Sequence, residues 1–202
     1  NQALFLSKRF LFSTVCSLIN CDQNASTASY QLATSQEENR DAMVITPGPF
    51  RTASKLGVFI TMVVFTDIYD LPDALRDDRT EVGKRVENVC LGGYTFNFDC
   101  FLTRHDEGEL RLDVRLFLTS GKWDDYLQWP FAKNITAILT HTRDRRKDFR
   151  MSIPFTSANA TRKPAPGKSN GFGGRTGRVR WQQVELNGFI ADNSLYFNIE
   201  FE

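Results

Sequence analysis

From about residue 56 to the end of the chain, apolar and polar residues alternate with a period of two. The alternation is strict over residues 96–100, 110–116 and 195–202. Successive side chains of a β-strand point to opposite faces, so these segments are predicted strands with one buried and one solvated face. Further strand candidates are residues 58–66, 134–142, 149–153 and 179–186.

Turn-forming residues separate these segments, and no long helical pattern lies between them. Seven or eight short strands of this kind predict an all-β fold, an antiparallel sandwich or a closed barrel. A short helix is predicted at residues 72–78, because Pro72 suits a first helical turn. The Gly- and Pro-rich residues 163–177 predict a long loop, which is uncommon unless the loop has a function.

The first 55 residues differ from the rest of the chain in composition and hydrophobic pattern, and they are predicted to form an N-terminal arm. Residues 1–22 carry apolar side chains at helical spacing, and residues 22–55 are polar and small. A helix packed on its own domain is the favoured interpretation of the first part. The end of a coiled coil and the remnant of a signal-like segment are the alternatives. The predicted domains are therefore a helical or extended arm, 1–55, and a sandwich, 56–202.

Composition narrows the possible partners. The 202 residues include 25 basic and 24 acidic side chains, for a net charge of +1. A dedicated nucleic-acid-binding protein usually has a clear basic excess, so nucleic acid is not an expected partner. No apolar run approaches the roughly 20 residues of a membrane-spanning helix, so no membrane span is expected.

Cysteines and sequons bear on the compartment. The four cysteines include no C-x-x-C pair, which disfavours a zinc site, and their even number allows two disulfides in three connectivities. These possible disulfide cysteines are Cys16, Cys21, Cys90 and Cys100. Sequons offer possible N-glycosylation sites at Asn24, Asn134 and Asn159. These features favour an extracellular protein, with a cytoplasmic protein as the alternative.

Catalytic chemistry is sparse in this sequence. The two histidines, His105 and His141, have no recognisable nucleophile or acid partner, and no G-x-S-x-G or H-E-x-x-H motif occurs. The run 167–169 resembles the end of a phosphate loop, but Arg162 stands where that motif needs glycine. We therefore expect no enzyme, no cofactor and no metal site.

Two basic clusters are candidate anion sites if they meet at one end of the sandwich. The first surrounds a turn and the second follows the Gly-rich loop. Their members are Arg143, Arg145, Arg146, Lys147 and Arg150, and then Arg175, Arg178 and Arg180. Asp144 and Asp148 dilute the first cluster, so a solvated turn is the favoured interpretation.

The most specific feature is the run Trp129, Pro130, Phe131, which precedes a predicted strand. It resembles the W-P-F signature of the MATH or TRAF-C family, the meprin and TRAF homology domains. The segments starting at Gly93, Glu109 and Phe172 are similar to other family strands and follow in the same order. The resemblance covers about residues 56–202 and implies an eight-stranded antiparallel β-sandwich that binds proteins and is not an enzyme.

The resemblance also implies a groove in which an extended peptide adds to an edge strand. The family's groove positions fall here on Asp99, Phe101, Ser157, Gly173, Gly174 and Arg175. Asp99 and Phe101 replace a family arginine and tyrosine, so the family's peptide specificity is not expected. A glycan at Asn159 would lie beside this groove.

The sequence is compatible with two functions. One is a protein-binding and assembly module outside the cell, with structural or adhesive roles, forming a homo-oligomer that is a trimer or larger. The alternative is an intracellular adaptor that binds extended peptides of receptors or substrates.

Removal of residues 1–50 is expected to leave a folded domain but to change its oligomeric state, because an N-terminal arm can add to a neighbouring copy. Sedimentation velocity of the full and shortened chains would measure this. Identical sedimentation coefficients, after correction for mass, would refute an assembly role for the arm.

Overall fold

The computed structural model describes residues 48–75, 79–105 and 108–202. Most of the predicted arm, with Cys16, Cys21 and Asn24, lies outside the described residues. The described part contains nine strands and three short α-helices. The strands are β1 (Phe59–Phe65), β2 (Glu81–Leu91), β3 (Tyr94–Arg104), β4 (Leu110–Thr119), β5 (Ile135–Leu139), β6 (Phe149–Ser152), β7 (Gly174–Arg175), β8 (Val179–Arg180) and β9 (Leu195–Phe201), and the helices are α1 (Asp70–Ala74), α2 (Ala158–Thr161) and α3 (Trp181–Leu186).

The strands form two sheets, and their pairings are antiparallel. Sheet A has the order β1-β9-β5-β6, and sheet B has the order β2-β3-β4-β7, with β8 also paired to β4. The predicted all-β antiparallel sandwich is therefore confirmed. The described part has nine strands and the family resemblance implied eight. The difference arises because β7 and β8 are two short pieces of one interrupted edge strand, both paired with β4.

The core lies between the sheets and follows the alternation of the sequence. Phe96, Phe98 and Cys100 on β3 are fully buried, as are Phe197 and Ile199 on β9. Burying one such large apolar side chain stabilises a fold by about 1.5–3 kcal/mol. The period-two pattern thus located the interior faces of the central strands correctly.

Strand β2 was not predicted from the sequence. It is an edge strand that carries Glu81, Lys84 and Arg85, and its pairing with β3 shifts register between Val86 and Val89. Charged side chains and bulges are common on edge strands, where they discourage pairing with other chains. They also remove the apolar alternation by which a strand is recognised.

The segment 179–186, predicted as a strand, is mostly helical, so that prediction is wrong. Only β8 is extended, and α3 follows it directly. Trp181 and Val184 are both buried and lie three residues apart, which places them on one face of a helix. The helix predicted at 72–78 begins two residues earlier than expected, at Asp70, and Pro72 lies in its first turn.

The W-P-F run closes one end of the sandwich through aromatic contacts. The Phe131 ring is 3% exposed and lies edge-on to Tyr94, with 4.9 Å between ring centroids, and 5.7 Å from Phe96. Trp129 is only half-buried; its ring packs edge-on against Tyr94 and its Nε1–H donates to the Asp124 carbonyl at 2.9 Å. Phe131 is therefore the interior member of the pair.

Residues 48–51, at the end of the predicted arm, are fixed to sheet A by buried polar groups. Arg51 is 3% exposed, and its Nε and Nη2 donate to the two carboxylate oxygens of Asp148 at 2.5 and 2.9 Å. The Asn198 side chain on β9 accepts from the Arg51 backbone N–H and donates to the Pro49 carbonyl. A buried charge is stable only when it is paired and hydrogen-bonded, and Arg51 meets both conditions.

Phe131→Ala is expected to lower the free energy of unfolding by about 3–5 kcal/mol, because it leaves a cavity among four aromatic rings. Trp129→Ala should cost less, since part of its ring is already in water. Urea denaturation would measure both, with Tyr126→Ala as the control because Tyr126 is 80% exposed. A larger loss for Trp129→Ala than for Phe131→Ala would contradict this assignment.

Candidate functional site

Strand β7 forms an edge of sheet B that has one side open. Gly174 lies opposite Leu116 of β4, and Arg175 lies opposite Arg115. The Thr176 N–H donates to the Val114 carbonyl, so the alternation of an antiparallel ladder turns Gly174 toward β4 and the backbone of Arg175 away from it. Among the described residues no strand pairs with that outer side.

Close packing explains the two glycines that the family resemblance placed in a peptide groove. A Cβ at Gly173 would lie 2.0 Å from the Leu116 carbonyl oxygen, and a Cβ at Gly174 would lie 2.6 Å from Ile153 and 2.7 Å from Phe155. Neither position can hold a larger residue without a shift of its neighbours. The edge therefore lies unusually close to β4 and to the segment after β6.

A buried carboxylate orients the arginine on this edge. Asp113 of β4 has a side chain that is 0% exposed and that lies 2.8 Å from the Nε of Arg175. It also accepts from the Nη2 of Arg175 at 2.8 Å and from the Nε of Arg115 at 3.1 Å. Two nitrogens of Arg175 are thus occupied, while its side chain stays 38% exposed.

Phe101 lies between a guanidinium group and a glycine. The Cζ of Arg115 is 3.9 Å from the centroid of the Phe101 ring, a cation–π contact. On the other side a Cβ at Gly83 of β2 would lie only 2.7 Å from the ring. Glu81 of β2 accepts from Arg115; partial burial tends to raise the pKa of Glu81, but these hydrogen bonds and the charge of Arg115 lower it overall.

Asp99 is a structural ion-pair partner on the same face. It is 3% exposed, and Arg85 of β2 donates to its two oxygens at 2.6 Å each. Hydrogen bonding to Asp99 is the main reason why the pKa of Arg85 is raised. Both carboxylate oxygens of Asp99 are already engaged, so it is not an open acceptor for a ligand.

Ser157 has a local role at the start of α2. Its Oγ accepts the N–H of Asn159 at 3.2 Å, which is an N-cap hydrogen bond. Within the described part of the chain, no hydrogen bond or ion pair joins Ser157 to Asp99, Phe101 or Arg175. The structure thus joins Phe101 and Arg175 through Arg115 and Asp113, and leaves Ser157 outside that network.

The remaining sequence candidates fall on the surface or in the core. The asparagines of two sequons, Asn134 and Asn159, are exposed.

The two described cysteines are too far apart for a disulfide. Cys90 lies opposite Thr95 and Cys100 opposite Lys84, so a rise of about 3.4 Å per residue separates the two cysteines by roughly 17 Å. A disulfide needs Cα atoms within about 7 Å, which excludes a Cys90–Cys100 bond. Burial, then the nearby Asp113 and Asp99, raises the pKa of the fully buried Cys100 thiol.

Among the described residues, neither histidine is hydrogen-bonded to the charged residues of this face. The Arg178 guanidinium lies against the His105 ring in the turn between β3 and β4. His141 follows β5 and packs edge-on against Phe189 at 5.5 Å. Across residues 48–75, 79–105 and 108–202 no group of three metal-ligating side chains occurs, and no helix there is long and apolar enough to cross a membrane.

Sequence reasoning missed the residues that organise the face, namely Glu81, Arg85, Asp113 and Arg115. The alternation of 110–116 did place Asp113 and Arg115 on the solvated side of β4. Asp113 and Arg115, two positions apart on β4, were the available sign of an ion-pair network on this face. Their other partners, however, lie on β2 and β7. Neither of those strands is apparent as such in the sequence.

A protein-family model, described as the TRAF/meprin MATH domain, matches residues 90–198. The chain belongs to the TRAF/meprin MATH domain family. A solved structure of Notothenia coriiceps TRAF5 resembles this MATH domain with a TM-score of 0.52 and 14% sequence identity, over 71% of this chain and 72% of that chain. No curated protein matches the chain. The family indicates a protein-interaction module, and the likeness to TRAF5 is one of fold.

Proposed function

We propose that this MATH domain binds an extended segment of a partner protein as an added strand along β7. The open outer side of β7 supports this proposal most directly, because it offers the backbone of Arg175 for new ladder hydrogen bonds. Strand addition of this kind draws affinity from the main chain and specificity from pockets beside it. The exposed Phe172 ring, 60% accessible and directly preceding Gly173, offers one such apolar contact.

The charges beside the edge argue against selection of a strongly acidic or basic segment. Three carboxylates and three guanidinium groups are paired with each other on this face; they are Glu81, Asp99 and Asp113, and Arg85, Arg115 and Arg175. A partner charge would have to compete with these existing pairs. Asp113 engages the Nε and Nη2 of Arg175, so its third guanidinium nitrogen, Nη1, remains for a polar contact with an added strand.

We further propose that the protein acts outside the cell and self-associates as a homo-oligomer, a trimer or larger, in a structural or adhesive role. The exposed asparagines of two sequons support the compartment, since a glycan needs an accessible side chain. The same open edge supports self-association, because a neighbouring copy could supply the added strand. An intracellular adaptor that binds receptor or substrate peptides is the alternative, and it would use the same edge.

Peptides selected from a randomised display library against the full-length protein are expected to bind through alternate backbone amides. N-methylation at every second residue should weaken binding at least about tenfold, and methylation at the intervening residues should have little effect, because only one set of amides faces β7. Fluorescence anisotropy would measure the affinities. Equal weakening by methylation at alternate and at intervening residues would refute strand addition. Failure to select any binder would also refute it.

A single replacement in the protein gives the matched test. Arg175→Pro removes an N–H that points away from β4, so it should abolish peptide binding while the domain stays folded. Arg175→Gln keeps that N–H and serves as the control for loss of charge. Circular dichroism would verify folding, and equal loss of binding in both variants would assign the effect to the guanidinium rather than to the ladder.

Secretion from a eukaryotic host is expected to yield protein whose mass falls after glycosidase treatment. Asn134→Gln and Asn159→Gln should each remove one glycan, because both side chains are accessible. Intact mass spectrometry of the secreted chain would show the losses. Unmodified asparagines in fully secreted material would contradict the extracellular proposal without affecting strand addition.

A further inference from the structure

An open pocket of about 840 Å³ lies away from β7 on the sandwich. Its walls come from the turn after β5, the segment before β9 and the start of the described chain. Pro49, Ile190 and Tyr196 form an apolar wall, while His141, Arg143 and Lys147 contribute polar groups. The volume lies in the range of small-ligand sites, and neither the proposed function nor the family assignment uses this pocket.

The His141 imidazole offers a fixed hydrogen-bond donor on the pocket wall. The residue is 94% buried, and its Nδ1 accepts the backbone N–H groups of Arg143 and Asp144 at 3.1 and 2.9 Å. A nitrogen that accepts two hydrogen bonds carries no hydrogen, so the ring hydrogen of the neutral imidazole is on Nε2. No acceptor among the described residues takes that hydrogen.

Gly188 keeps this donor uncovered. A Cβ at position 188 would lie 3.5 Å from the His141 Nε2, and the residue has φ 76°, a conformation that favours glycine. Gly188 and His141 line the same pocket. Because Gly188 has no side chain, it leaves the Nε2 edge of the imidazole accessible from the pocket.

Cations outnumber available carboxylates around the opening. Arg143 and Lys147 are exposed and form no ion pair within the described part of the chain. Asp144 is bound by Arg146 at 3.0 Å, which leaves Asp192 as the pocket's other carboxylate. The first basic cluster of the sequence thus contributes two cations without a salt bridge to the pocket that the His141 imidazole lines.

We propose that this pocket binds a carboxylate group attached to a small apolar body. The carboxylate would accept from the His141 Nε2–H and lie near Lys147 and Arg143, and the apolar body would contact Pro49, Ile190 and Tyr196. A carboxylate suits the site better than a phosphate, because a second negative charge would face Asp144 and Asp192. The group could belong to a free organic acid or to the C-terminus of a peptide.

Isotope-labelled full-length protein titrated with 3-phenylpropionate is the direct test. Backbone NMR shifts are expected at residues 141–147 and 188–192, with binding at least about tenfold tighter than that of the uncharged 3-phenylpropanamide. A tripeptide ending in phenylalanine, as free acid and as amide, forms the second arm. Preference for the free tripeptide acid over 3-phenylpropionate would identify a peptide terminus as the source.

Variants separate the pocket from general attraction to a cationic surface. Arg143→Gln with Lys147→Gln should weaken binding of the acid at least about fivefold, whereas Lys133→Gln with Lys168→Gln should leave it unchanged. Both pairs change exposed side chains, so folding should be retained. Equal binding of acid and amide, shifts outside the pocket, or no shift up to about 10 mM ligand would overturn the proposal.

Discussion

The ladder between β3 and β4 is the constraint on which the rest of this MATH domain depends. The two strands pair without a register break from Thr95 opposite Thr119 to Arg104 opposite Leu110. A slip of one residue would move the apolar side chains of one strand to the face on which the other strand carries its polar side chains. In the observed register Phe96 and Phe98 of β3 enter the core, and Asp113 contacts Arg115 and Arg175 on the outer face. The same pairing therefore sets the interior, the charge network and the position of β7.

The two edge strands of sheet B, β2 and β7, differ in charge, length and regularity. Strand β2 carries charges and a bulge along its length, and Asn88 has a positive φ of 57° at the register shift. Strand β7 has only two residues, both close to β4, with glycine where any Cβ would collide. Charges and bulges protect an edge from pairing, whereas shortness limits it to a few hydrogen bonds. Sheet B thus has one edge, β2, that disfavours pairing with another strand, and one edge, β7, that allows a short added strand.

The sequence predicted those parts of the fold whose signals are local. Strict alternation located β3, β4 and β9, and the W-P-F run indicated the family, because both features are contained in single segments. Residues 179–186 were misassigned because the apolar pairs 179/181 and 184/186 have the spacing of a strand. The spacing of three between Trp181 and Val184, which is helical, was the weaker signal in so short a segment. Arg85 and Glu81 were missed as partners of Asp99 and Arg115, since ion pairs between strands depend on a register that no single strand contains. The His141 tautomer likewise depends on backbone amides of a turn.

The Arg51 anchor determines how the domain would respond to tension. Phe59 pairs with Phe201, so Gly48 and Glu202 both lead to the same end of the β1–β9 ladder. A pull applied through these two residues would open that ladder one hydrogen bond at a time, which is the mechanically weak direction. The buried ion pair between Arg51 and Asp148 lies ahead of β1 in the chain and would bear the load first. Under such a pull it would act as a mechanical clamp that protects the ladder until the ion pair itself breaks.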